Sequence, residues 1–206
     1  MASQSAARRS ILSNFGINAE IYVTNADESL CGGKNRTPAE IVTELARRKA
    51  RAAAAKIADA SALIIAADTI VAHKGRILGK PSGTDDAVNM LSSLSGDTHE
   101  VYSGVAVVFG GKTVCGFDVT KVKFRDMDIK EITAYAATGD PLTKAGSYGA
   151  EGIGAAFIER IEGDFFNIAG LPVFKFANIL KNDFDLTVFD LQRNSSNNRN
   201  GGSNRQ

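Results

Sequence analysis

Between residues 38 and 59 apolar side chains recur every three or four positions, the period of an amphipathic helix. At about 100° per residue, Ile41, Val42, Leu45, Ala53 and Ile57 share one arc of about 160°. Lys49 points into the middle of that arc, so its ammonium must either snorkel to solvent or meet an anion. Arg47, Arg48 and Arg51 fall outside it and suit a solvated face. Applied along the chain, the same test predicts helices over 5–15, 83–95, 129–138 and 172–182. Strands are expected at 19–23 and 62–72, with a hairpin turn at 73–76. A strand pair, 99–109 and 113–125, is joined at Gly110-Gly111, and two short strands flank Gly163. Helices and strands in this order predict a twisted sheet with helices on its faces, the 99–125 hairpin being antiparallel.

Against this pattern Asp68 stands out. It interrupts ALIIAADTIVA, a run that otherwise reads as a buried strand, and burying an unpaired carboxylate costs several kcal/mol. The pleat puts Asp68 on one face with Ile64, Ala66 and Ile70, and Thr69 on the other. Either backbone N–H groups hold Asp68 structurally, or it works in a cleft beside a cation. Lys80, between Gly79 and Pro81, is one candidate cation, since glycine permits close approach and proline stiffens the backbone at its own position. Arg8 and Arg9 fall in the first turn of the first helix, where the macrodipole disfavours cations unless an anion binds there. Asp27-Glu28 adds two carboxylates after the strand EIYVT. In the Gly-rich stretch after 139, Lys144, Tyr148 and Glu151 supply a cation, an aromatic face and an acceptor, the parts of a nucleobase pocket. That stretch lacks GxxxxGK[ST], and no GxGxxG comes after a strand. His73 and His99 show no metal spacing and read as ordinary polar residues.

Composition narrows the function classes. The chain has 206 residues, 44% of them hydrophobic, with 24 Lys plus Arg against 23 Asp plus Glu. Near-neutral charge gives no global field for nucleic acid or an anionic membrane, so phosphate chemistry must rest on a local cluster. Two cysteines, Cys31 and Cys115, are too few for a disulfide framework and read as reduced thiols. No stretch approaches a membrane span. A soluble, cytoplasmic protein is expected, although the opening MASQSAARRSILSNFG is Ser- and Arg-rich without an acid, as transit peptides are. Residues 186–206 read as a polar, disordered tail after a unit spanning 1–185.

SQSAARRSIL, ADESL, AADTIV with GRILGKP, LSSLSGDTHEVYSGVAV, TKVKFRDM and GDPLTKAGSYGAEGIGAAFIERIEGDFFNIAGLP, taken together in this order, resemble the Maf family of nucleoside triphosphate pyrophosphatases. The resemblance runs from about residue 3 to residue 181. It implies a Maf/inosine-triphosphatase-like α/β fold, a twisted mixed sheet with two lobes around a central cleft. It also implies a divalent cation, Mg²⁺ or Mn²⁺, a homodimer, and hydrolysis of a nucleoside triphosphate to the monophosphate and pyrophosphate. The family pattern carries over to Ser3 and Arg8 at the phosphate-binding first helix, and to Glu28, Lys49, Asp68, Lys80 and Glu151 in the cleft. Glu28 and Asp68 become the metal ligands, with Asp68 the base for the attacking water. The family's Ser-Pro-Arg-Arg is Ser5-Ala6-Ala7-Arg8 here, so the first arginine of the pair is missing. Thr69 and Lys144 resemble the branch acting on dTTP and UTP, whereas Glu151 resembles the branch acting on 7-methyl-GTP. Two rival readings exist: a nucleotide-binding regulator of septum formation without turnover, and a nucleic-acid module using the basic helix from Arg47 to Lys56. Near-zero net charge and the lack of aromatic residues interleaved on that helix weigh against the second.

Overall fold

The computed structural model describes residues 1–24 and 36–192. Helix α1 (Ala6–Asn14) is capped by the Ser5 hydroxyl, which accepts from Arg8 N–H. Helix α2 (Pro38–Ile57) opens with Pro38 and a Thr37–Glu40 capping box, which together satisfy its first N–H groups. Strands β1 (Ile64–His73) and β2 (Arg76–Leu78) meet in a two-residue turn. Lys74 (φ 48°) and Gly75 (φ 75°) supply the left-handed conformations that such a turn requires. Helix α3 (Thr84–Leu94) leads to the long hairpin of β3 (Thr98–Phe109) and β4 (Lys112–Phe124), closed by Gly110 and Gly111, both at positive φ. Helix α4 (Ile129–Ala137), three short 3₁₀ turns between Asp140 and Phe157, β5 (Ile158–Glu162), α5 (Phe165–Ile168) and α6 (Val173–Phe184) complete the order.

The strands form one sheet in the order β2-β1-β3-β4-β5. Every pairing among the described residues is antiparallel, where a mixed sheet was expected. Helices cover both faces. Ile64, Ala66 and Ala106 pack under Ala46, Ala50 and Ala53 of α2, while Ile70 meets Ile41, Val42 and Leu45. On the opposite face, Ile65, Ala67, Val105 and Val107 pack with α1 and α6. Farther along the same face, Val71, Val101, Val122 and Phe124 pack with α3 and α4.

Three elements differ from the sequence-based expectation. Residues 19–23 form no strand; Tyr22 N–H donates to Met1 O at 2.9 Å, and Ala2 N–H donates to Ile65 O at 2.7 Å, so pairing there is by isolated bonds. Only one strand, β5, adjoins Gly163, because the Asp164 carboxylate accepts from Phe166 N–H and turns the chain into α5. The polar tail was expected to begin at residue 186. Instead residues 188–192 are helical, and Leu186, Val188 and Leu191 pack against the α1–α6 cluster. Gln192 anchors this end by donating to Phe15 O.

Candidate active site

β1 is paired with β3 along one edge, but on its other edge β2 covers only residues 71–73. The amino terminus reaches that edge at Ile65. Between them, at residues 66–70, the edge carries no strand among the described residues, and Asp68 and Thr69 lie in this gap, each half-buried.

On the α2 face, Lys49 Nζ donates to Asp68 Oδ1 at 2.6 Å. The two side chains are only 10% and 14% exposed, so the pair is held largely away from water. The helix can deliver Lys49 here because it lies close to the sheet. On either side of Lys49 its contact residues Ala46, Ala50 and Ala53 are small, and opposite Asp68 in register stands Gly104, where a Cβ would come within 2.2 Å of Val42 O. The misfit in the apolar arc of α2 is thus resolved by an anion, and the cation brought to Asp68 is Lys49. No ion pair joins Lys80 to Asp68 among the described residues, and Lys80 is exposed.

On the opposite face Arg8 is buried, 9% exposed. Its Nε donates to Gly170 O at 2.7 Å, Nη1 to Ser3 Oγ at 3.1 Å, and Nη2 to Thr69 Oγ1 at 2.9 Å. Ser3, Arg8 and Thr69 therefore form one cluster, although they lie far apart in sequence. Thr69 Oγ1 is also 2.8 Å from Ser103 Oγ, which donates to Asn167 O at 2.7 Å. Ser103 and Asn167 are fully buried and are not foreseen from the sequence. A hydroxyl on a strand face, and an amide in a Gly-rich segment, carry no periodic signal that separates them from ordinary polar residues.

The Gly-rich segment is tied to the end of this gap, Gly146 N–H donating to Gly79 O at 3.0 Å. Gly146 (φ 67°) has no room for a side chain, since a Cβ would meet Val71 at 2.8 Å. Lys144 Nζ pairs with Asp140 Oδ1 at 2.8 Å, and Tyr135 O–H donates to Asp140 Oδ2 at 2.7 Å. The Lys144 bond holds the Asp140 carboxyl below the usual range. Glu151 is exposed, and partial burial pushes its carboxyl up against the pull of Lys144. Tyr148 does not offer a stacking face. It is 5% exposed, packs edge-on to Phe124, and its hydroxyl lies 2.7 Å from His99 Nε2. Burial holds His99 down to about 4, so it stays neutral. The other histidine, His73, is buried too and bonds Asp97 at 3.0 Å. Glu28 lies outside the described residues. A separate surface cavity of about 450 Å³ at the β1–β2 hairpin, lined among others by Lys74, Arg76 and Tyr102, contains none of the expected site residues.

Fold and site define an α/β protein in which β1 carries a Lys49–Asp68 ion pair on one face and the buried Arg8 guanidinium on the other, beside a stretch of edge with no strand among the described residues. The model of the Maf-like protein family matches residues 1–183, and the chain belongs to that family. It is 42% identical over 188 residues to proteins named dTTP/UTP pyrophosphatase from Bacillus cereus (strain B4264) and Bacillus anthracis, covering 91% of this chain and 96% of each relative. The protein of that name from Bacillus thuringiensis subsp. konkukian (strain 97-27) is similar to the same extent.

Proposed function

We propose that this protein hydrolyses nucleoside triphosphates to the monophosphate and pyrophosphate, with UTP and dTTP as leading substrates. The observation that carries the reading is the Lys49–Asp68 pair in the gap of β1, with the Arg8 guanidinium on the other face of the same strand. Proteins named dTTP/UTP pyrophosphatase, similar over almost their whole length, support the substrate class.

In this mechanism Arg8, Lys49 and Lys80 neutralise the triphosphate. Asp68 orients a water for in-line attack on the α-phosphorus and accepts its proton. A new bond forms between the water oxygen and that phosphorus, and the bond to the bridging oxygen breaks as pyrophosphate leaves. Most of the acceleration is electrostatic positioning, as is usual for phosphoryl chemistry. Lys49 pairs with one oxygen of Asp68, while Ser3 holds Arg8. A hard divalent cation suits one or two carboxylates plus substrate phosphates, and the Asp68 carboxylate, largely buried beside Lys49 at the gap, fits as one such donor. Asp68 and Glu28 would hold Mg²⁺ or Mn²⁺. Held there, such a cation would supply neutralisation of the phosphate charge.

Base choice rests on Lys144 as donor and Glu151 as acceptor, a pair that matches the carbonyl and imide N–H of uracil and thymine. Adenine offers a bare N1 at that edge and is disfavoured. Because Glu151 is exposed rather than buried, discrimination falls toward the lower end of the roughly 1–3 kcal/mol that an unmatched polar group costs. Pyrophosphate release from UTP, dTTP, CTP, GTP, 7-methyl-GTP and ATP, with Mg²⁺ or Mn²⁺, tests the reading. No release from any of them refutes the activity, and ATP as best substrate refutes the base assignment.

A further inference from the structure

We propose that Ser103 is a positioning residue that fixes the direction of the Thr69 hydroxyl, so that Thr69 meets a bound nucleotide only as a hydrogen-bond acceptor. The proposal rests on the nucleotide-hydrolysing reading of the same site.

Three distances set the direction. Ser103 Oγ is 2.7 Å from Asn167 O, a carbonyl that can only accept, so the Ser103 proton goes there. Ser103 Oγ must then accept from Thr69 Oγ1, 2.8 Å away. Thr69 Oγ1 in turn accepts from Arg8 Nη2 at 2.9 Å, since a guanidinium only donates. A second acceptor near Thr69, Gly170 O, is 3.4 Å distant and already receives Arg8 Nε at 2.7 Å. The chain thus runs one way, from Arg8 through Thr69 and Ser103 to Asn167 O. Reversing it would set the Ser103 and Asn167 oxygens 2.7 Å apart with no proton between them.

Its far end is rigid. Asn167 is fully buried, and its Nδ2 donates to Val101 O at 2.9 Å and to Thr120 Oγ1 at 3.0 Å. These bonds lock α5 to β3 and β4, so the carbonyl that orients Ser103 cannot swing away. Ser103 is itself 0% exposed and cannot reach a ligand; it acts through Thr69. With its proton committed, Thr69 offers the gap a lone pair. The matching ligand group is an N–H or O–H donor, either the base imide N–H or a ribose hydroxyl, and a phosphate oxygen would find no proton there.

The test uses the full chain and the variant Ser103→Ala. By NMR in the absence of nucleotide, the wild-type Thr69 hydroxyl proton exchanges slowly and shows contact with Ser103, and the signal is lost in the variant. A rapidly exchanging Thr69 proton in the wild type overturns the proposal whatever the protein hydrolyses. In steady-state assays, kcat/KM is compared for UTP, N3-methyl-UTP, dUTP and 3′-deoxy-UTP. Removing the donor that meets Thr69 lowers wild-type kcat/KM about tenfold, the factor carried by about 1.4 kcal/mol for one unmade hydrogen bond. The analogue that suffers identifies base or sugar. In Ser103→Ala the freed Thr69 proton lets the site donate as well as accept, and the ratio falls toward one. A uniform loss across all four nucleotides, with the ratio kept, would mean a merely structural Ser103 and overturn the proposal. No pyrophosphate release by the wild type refutes the activity instead, and the NMR result then decides the proposal alone.

Discussion

Replacing Lys49 by methionine keeps the length of the side chain and removes its charge, leaving the Asp68 carboxylate largely buried without its ammonium. The contact is 2.6 Å, with side-chain exposures of 10% and 14%. At an effective dielectric near 20, such a pair attracts with about 6 kcal/mol before desolvation is counted. Desolvation of both ions removes half or more of that, so the net coupling is about 2–3 kcal/mol. Lys49→Met should therefore destabilise by about 3 kcal/mol, the range for breaking a buried pair from one side. In a chain of 206 residues that lowers Tm by about 6–12 °C. Asp68→Asn should cost about 1–2 kcal/mol, because the amide oxygen still accepts from Lys49. The double variant should lose about 2 kcal/mol less than the sum of the two. Denaturant titrations of all four proteins measure the cycle. Singles that add within about 0.5 kcal/mol would refute a coupled pair. The same proteins separate stability from chemistry: Asp68→Asn should lower kcat at least about 100-fold, while Lys49→Met acts mainly on KM. A near-normal kcat in Asp68→Asn removes that residue from the reaction.

Other perturbations act on single contacts. Gly104→Ala drives a methyl to 2.2 Å from Val42 O, so α2 must move off β3; thermal melts should show a loss of about 3 kcal/mol or more, and unchanged stability would contradict the close approach. His99 is held down to about 4 by burial, against 6.5 when unfolded, with His73 adding to the effect. Its contribution is complete above about pH 6.5 and is lost as pH falls toward 4, about 3 kcal/mol in all, because only the unfolded chain takes up the proton across that window. Melting curves from pH 8 to 4 should therefore slope more steeply for the wild type than for His99→Gln. Chelation by EDTA should abolish pyrophosphate release, with Mg²⁺ or Mn²⁺ restoring it; full activity under chelation would exclude the divalent cation.

The site is legible in the sequence where a residue breaks a period. Lys49 stands in an apolar helical arc and Asp68 in an apolar strand, and each proves to be the other's partner. Arg8 gives a weaker sign, since cations in a first helical turn are also common on solvated faces; only the fold shows Gly170 O and Thr69 closing around it. Ser103 and Asn167 break no period, and their bonds join residues 34 and 64 positions apart, beyond any local pattern. Tyr148 departs from expectation because an aromatic ring in a glycine-rich loop fills a core as readily as it faces a ligand. The EIYVT run has strand composition, but a strand needs a partner, and this segment gains only isolated bonds.

A single strand register underlies both halves of the site. Successive residues of β1 face opposite sides of the sheet, so Asp68 meets α2 while Thr69 meets Arg8 of α1. A slip of one residue would exchange them, placing a carboxylate against the Ser103 relay and a hydroxyl beneath Lys49. Tight turns pin the register of the two hairpins. Lys74-Gly75 fixes β2 against β1, and Gly110-Gly111 fixes β4 against its neighbour β3. Between these turns Gly104 sits opposite Asp68 and accepts the backbone of α2, a contact that a shifted strand, presenting Ser103 or Val105 to the helix, could not make. The glycine that admits the helix and the aspartate that the helix serves are thus held by one pairing. That coupling explains how a carboxylate can stand in the middle of the most apolar strand of the chain.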